Sequence, residues 1–202
     1  DNFSVFPDPS GCPTPPEPAQ EFPPGLQVCT ELLIDRSFET TPPVDWAGLG
    51  ANGVAQDTTQ KNSGNRSLRA STLGGAPENP RFWQRFTMPS WILSSTTTLD
   101  VSFYRNIDNQ GTNQASDQFF AVIATSPNQA DAITDPALVG TGVGSSPADP
   151  NGWVQQTIRF TLLAGVNLED YAEQPLYLYF YNNSNSAGAC GGFCATHYYF
   201  DD

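Results

Sequence analysis

Apolar and polar residues alternate with a period of two along much of the chain. In Thr98–Arg105, Leu99, Val101 and Phe103 fall on one face and Asp100, Ser102 and Tyr104 on the other. In Leu176–Tyr181, Leu176, Leu178 and Phe180 oppose Tyr177, Tyr179 and Tyr181. Successive strand side chains point to opposite faces of a sheet, so this pattern predicts half-buried strands. Leu32–Glu39 opens the series and Arg66–Ser71 is a short member. Phe82–Met88 carries Trp83 and Phe86, and Gln118–Thr125 is apolar on both faces. Trp153–Leu162 puts Val154, Ile158 and Phe160 on one side, and His197–Asp202 closes the chain. Clusters of Gly, Pro, Asn and Ser separate these runs. No long window has a helical period. Gln129–Val139 and Val166–Glu173 are expected to be short helices or single turns in loops, and Gly140-Thr-Gly142 with Gly144 a turn. Strands at this spacing without intervening helices predict an all-β fold, a two-sheet antiparallel β-sandwich.

Residues 1–30 have a different texture. Pro13–Pro24 is proline-rich and is expected to be extended and stiff, an arm or linker preceding a domain at 31–202. Within residues 1–6, Phe3 and Val5 alternate with Asn2 and Ser4, the pattern of a short strand.

Composition narrows the function. The 202 residues carry a net charge of -13, with 21 Asp and Glu against 8 Lys and Arg, and Lys61 is the sole lysine. Such a charge disfavours nucleic acid and anionic membrane surfaces as partners. No apolar run reaches the ~20 residues of a membrane span, so no membrane insertion is expected. The 4 cysteines form two near pairs, Cys12 with Cys29 and Cys190 with Cys194. Loop closure favours pairing near neighbours, and even pairing suggests an oxidising compartment. A zinc alternative exists because His197 lies close to Cys190 and Cys194, although no fourth ligand is evident.

Three segments in order carry a resemblance: Leu33-Ile-Asp-Arg-Ser-Phe-Glu39 with Trp46 following, Ser63-Gly-Asn-Arg-Ser-Leu68, and Tyr198-Tyr-Phe-Asp-Asp202. They resemble the opening, second and closing strands of the jelly-roll carbohydrate-binding modules of secreted xylanases and glucanases. Asp35-Arg36 stands where that family usually has Asn-Gly. The resemblance implies a structural Ca²⁺ held by Glu39 and Asp201, with Asp202 as a weaker candidate for the second carboxylate. Backbone carbonyls near Ser37, Asn62 and Ser63 would complete the shell, in keeping with calcium's preference for hard oxygens.

The family's closing strand continues past the point where this chain stops, and Asp1–Phe6 reads like that continuation. One expectation is therefore that the arm, anchored by Phe3 and Val5, is donated to a neighbouring copy or module.

No nucleophile elbow, zinc-protease helix or phosphate loop is present. His197 reads as structural, and Asp131, Asp135, Asp149, Glu169 and Asp170 as solvated loop acids. Tyr177, Tyr179 and Tyr181 put three rings on one sheet face, where aromatic faces can stack on sugars. Tyr104 and Trp153 would extend that platform if their strands were neighbours. The sequence thus predicts a non-catalytic extracellular or cell-surface module. The first reading is a structural or adhesive unit of a surface fibre, joined to copies of itself. The alternative is a carbohydrate-binding module of a secreted glycoside hydrolase, with polysaccharide as partner.

Overall fold

A computed structural model of the chain describes residues 32–35, 37–43, 45–49, 53–72, 80–90, 98–109, 118–126, 138–143, 152–183 and 196–201. The arm at 1–30, Phe3, Val5, the four cysteines and Asp202 lie outside them.

The described strands are β1 (Trp46–Ala47), β2 (Val54–Asp57), β3 (Ser67–Thr72), β4 (Arg81–Thr87), β5 (Thr98–Asn109), β6 (Gln118–Ala124), β7 (Leu138–Val143), β8 (Val154–Leu162), β9 (Pro175–Asn183) and β10 (Thr196–Asp201). They form one antiparallel ladder in the order β1-β4-β9-β6-β7-β8-β5-β10-β3-β2. Its β7–β8 step rests on the pairs Gly140↔Leu162 and Thr141↔Thr161.

The ladder folds over on itself into two layers. Phe82 on β4 and Phe180 on β9 belong to one layer, Phe103 on β5 and Phe200 on β10 to the other. Yet Phe82 and Phe200 have ring centroids 5.1 Å apart, and Phe103 and Phe180 5.6 Å. Rings on strands so distant in the ladder meet only if the two halves lie face to face. The protein is therefore a β-sandwich, as the alternating pattern predicts. Leu68, Val101, Ile158, Leu176, Leu178 and Tyr198 fill the interior around the four phenylalanines.

Several local expectations need correction. Leu32–Glu39 is not a strand. Asp35 and Phe38 take positive φ, 46° and 56°, which breaks an extended ladder. The segment is held instead by side chains. Leu33 and Phe38 enter the core, and buried Gln84 clasps the Ile34 peptide, accepting from its N–H at 2.8 Å and donating to its C=O at 2.5 Å. Trp46 Nε1 donates to the Asp35 carbonyl at 3.1 Å. Gly140-Thr-Gly142 is not a turn but part of β7. β5 runs on to Asn109, past the expected end at Arg105. Val166–Glu173 contains a single 3-10 turn, Leu168–Tyr171, seated by buried Leu168.

Candidate functional site

The outward face of β4, β9 and β6 carries an aromatic grid. Strand parity sends Phe82, Gln84 and Phe86 inward, so Arg81, Trp83 and Arg85 face out. The register sets Arg81 opposite Tyr181, Trp83 opposite Tyr179, and Arg85 opposite Tyr177. On the other flank of β9, Phe120, Val122 and Ala124 face Tyr181, Tyr179 and Tyr177 in turn. The grid thus has three rows across three strands, apolar and aromatic apart from the two arginines.

Its members differ in exposure. Tyr179 is fully covered at 0%, and its hydroxyl donates to the Ser126 carbonyl at 3.2 Å. It is a floor rather than a contact surface. Trp83, Tyr177, Tyr181 and Phe120 remain partly exposed around it. Trp83 lies parallel to Tyr179, with centroids 5.4 Å apart and planes at 18°, and Phe120 lies parallel to Tyr181 at 5.2 Å and 19°. Offset stacking of this kind fixes ring orientation. Gly48 helps set Trp83. It takes φ +86°, and a Cβ there would lie 2.3 Å from the Arg81 carbonyl and 2.7 Å from the Trp83 ring. The Tyr181 hydroxyl is pushed above its ordinary pKa by burial, partly opposed by the Arg81 charge, so it stays protonated at neutral pH.

Tyr104 and Trp153 do not join this face. Tyr104 lies on β5 and Trp153 precedes β8, both in the opposite layer. Arg81, Trp83, Arg85, Phe120, Val122 and Ala124 are the members the sequence reading left out.

The opposite layer's outer face is polar. Asp100 receives a two-pronged ion pair from Arg159, Nε at 2.9 Å and Nη2 at 2.8 Å. His197 Nδ1 lies 2.7 Å from Ser71 Oγ, and its register partner on β5 is Asp108. Burial and the Arg69 charge lower the His197 pKa, against the opposing pull of Asp108 and Asp57, so the ring is neutral at physiological pH. Among the described residues no three His, Cys, Asp or Glu side chains group as metal ligands.

The carboxylates expected to hold calcium meet on one loop. Asp201 Oδ2 accepts the N–H groups of Asn62 at 2.7 Å and Ser63 at 3.0 Å. Glu39 Oε1 accepts those of Asn65 at 2.7 Å and Arg66 at 3.0 Å. Between them Gly64 has φ +56°, and a Cβ there would sit 2.2 Å from Glu39 Oε1. Glu39 Oε2 also accepts the Asn65 side-chain amide at 3.4 Å. Carboxylate oxygens are hard donors of the type calcium takes, so Glu39 and Asp201 are chemically suited to that ion. Two carboxylates with carbonyls do not require a third acidic ligand.

Glu39 is held below its ordinary value of 4.5. Desolvation would raise it, but the amides of Asn65 and Arg66, the Asn65 side chain and the Arg66 charge outweigh that. A carboxyl whose folded pKa is lowered stabilises the fold fully above the unfolded value and loses that contribution as pH falls through the folded one. The melting-temperature gap between the parent and Glu39→Gln is therefore expected to close below pH 4.5. A gap that stays constant from neutral pH down to about 3 refutes this account of the loop.

No protein-family model matches the chain, and no curated protein matches it significantly. Solved structures do match. A candidate glycoside hydrolase from Bacteroides thetaiotaomicron aligns with TM-score 0.50 and 12% identity, covering 74% of this chain and 55% of that one. This chain therefore spans little more than half the length of that protein. The TmCBM61 module in complex with β-1,4-galactotriose aligns at TM-score 0.47 and 10% identity, over 85% of this chain and 94% of that one. A family 16 carbohydrate-binding module aligns at 0.47 and 11%, over 85% and 96%. At these identities the likeness is one of fold.

Proposed function

We propose that the protein is a non-catalytic carbohydrate-binding module whose ligand lies on the β4-β9-β6 face. The observation that carries this reading is the ring arrangement on that face. Trp83 and Phe120 are each locked by stacking, and with Tyr177 and Tyr181 they surround a buried floor. Fixed, partly exposed rings offer flat apolar area at low entropic cost, which suits the faces of sugar rings, and the tyrosine hydroxyls supply hydrogen bonds. Secretion or cell-surface display follows as part of the proposal, and no described helix is long and apolar enough to cross a membrane. The fibre reading rests on residues 1–6, outside the described residues, whereas the glycan reading rests on a built surface.

Native affinity electrophoresis through gels containing soluble polysaccharides tests it. At least one polymer is expected to retard the protein, and Trp83→Ala is expected to weaken that binding about tenfold or more. Melting curves for Trp83→Ala must match the parent. Unchanged retardation in a folded Trp83→Ala protein removes the assignment.

We also propose that Ca²⁺ binds at Glu39, Asp201 and the carbonyls of Ser37, Asn62 and Ser63 as a structural ion. A chelator is expected to lower the melting temperature by several degrees, reversed by added Ca²⁺. No change on chelation refutes it.

A further inference from the structure

The aromatic grid has an unusual charge for this chain. The protein has 21 acidic residues and 8 basic ones, a surplus that gives net -13. Yet two arginines, Arg81 and Arg85, stand on the grid, and none of its facing positions on β4, β9 or β6 is a carboxylate. Charged residues make up 14% of the sequence and are sparse throughout, so a like-charged pair on an apolar aromatic face is not explained by solubility. Arg85 is exposed, and among the described residues it makes no ion pair. Arg81 lies beside Tyr181, whose hydroxyl feels its charge.

The spacing is informative. Arg81 and Arg85 are four residues apart on one strand, so their Cα atoms lie ~13 Å from each other with Trp83 midway. A sugar chain stacked on Trp83 and running along β4 would reach the exposed Arg85, whereas Arg81 is only half-exposed with its Nε buried and adds positive charge to the face. Arginine presents donors in a planar fork that matches a carboxylate with two parallel hydrogen bonds, which a hydroxyl cannot reciprocate. The rest of the molecule repels polyanions at long range. At physiological salt that repulsion is screened beyond ~8 Å, so contacts on the face govern binding.

We infer that the ligand of this face is an acidic polysaccharide, a polyuronate with a carboxylate that meets Arg85 beside the Trp83–Tyr179 stack, in the positive field to which Arg81 adds. The inference rests on the carbohydrate reading of the same face and specifies its substrate class.

Titration calorimetry with polygalacturonate, its fully methyl-esterified form and a neutral β-1,4-galactan tests it. Methyl esterification keeps the sugar backbone and removes the charge. Binding to polygalacturonate is expected to be about tenfold tighter than to either uncharged polymer. Arg85→Gln, at an exposed position, should erase most of that preference, bringing polygalacturonate affinity down toward that of its ester. Equal affinity for the acid and its ester, or an Arg85→Gln protein that keeps the preference, overturns the inference. Trp83→Ala separates the two readings. If it abolishes binding to every polymer while Arg85→Gln has no effect, the face binds glycans and the acidic specificity is wrong. If Trp83→Ala leaves polygalacturonate binding intact, the platform itself is wrong.

Discussion

Replacing Phe180 with Ala is expected to destabilise the protein by about 3–5 kcal/mol, the range for deleting a buried aromatic ring. Phe180 is fully buried on β9 at the centre of the interior. Its ring stacks on Phe82 in its own layer, centroids 5.0 Å apart, and meets Phe103 at 5.6 Å and Phe200 at 5.8 Å in the facing layer. Trp46, on the two-residue strand β1, lies 6.2 Å away. The substitution therefore removes contacts between layers as well as within one. The cavity left cannot collapse without moving strands that the ladder holds on both sides, which places the cost toward the upper end. Urea denaturation checks it, with Val154→Ala, at a position 39% exposed, as a control expected to cost less than about 0.5 kcal/mol. A loss below about 1.5 kcal/mol for Phe180→Ala means the two layers do not share this core.

That core was legible in the alternation. Leu99, Val101 and Phe103 on β5 and Leu176, Leu178 and Phe180 on β9 all point inward as their parity predicts, and the sandwich follows from them. Parity reports a face, however, and not a neighbour. Tyr104 shares outward parity with Tyr179, yet β5 and β9 lie in different layers. The partners of the tyrosine row are β4 and β6, far from β9 in sequence, and no local signal announces that pairing. One clue was present. The double-sided apolar pattern of Gln118–Thr125 is the mark of a strand covered on both faces, and Val122 does pack outward against Tyr179.

The misread elements share a physical cause. β1 and β2 are too short to show a period, and the glycines of β7 mimic a turn. Leu32–Glu39 has strand-like composition, but Asp35 and Phe38 adopt left-handed backbone, and Gln84 performs with one side chain the pairing that a neighbouring strand would otherwise provide.

The second large effect is expected at Asp201. Its carboxylate is fully buried at the end of β10 and accepts two N–H groups from the loop after Lys61, more than a hundred residues away in sequence. Hydrogen bonds to a charged group contribute about 1.5–3 kcal/mol each and are not strictly additive, so Asp201→Ala is expected to cost about 2–4 kcal/mol and to leave two loop amides without acceptors. Amide exchange at Asn62 and Ser63 should accelerate in the same variant, because the loop loses its attachment to β10. Asp201→Asn separates the latch from the proposed ion. The amide oxygen of Asn can still accept both N–H groups, so the latch is largely kept, but half of the carboxylate charge offered to calcium is gone. If the site holds calcium, the parent should lose melting temperature on chelation while Asp201→Asn is nearly indifferent to it. Equal chelator sensitivity in the two proteins would place the ion elsewhere and leave Asp201 as a latch alone. An Asp201→Ala protein with unchanged stability would show that the loop is held by Glu39, which grips it from the other side of Gly64.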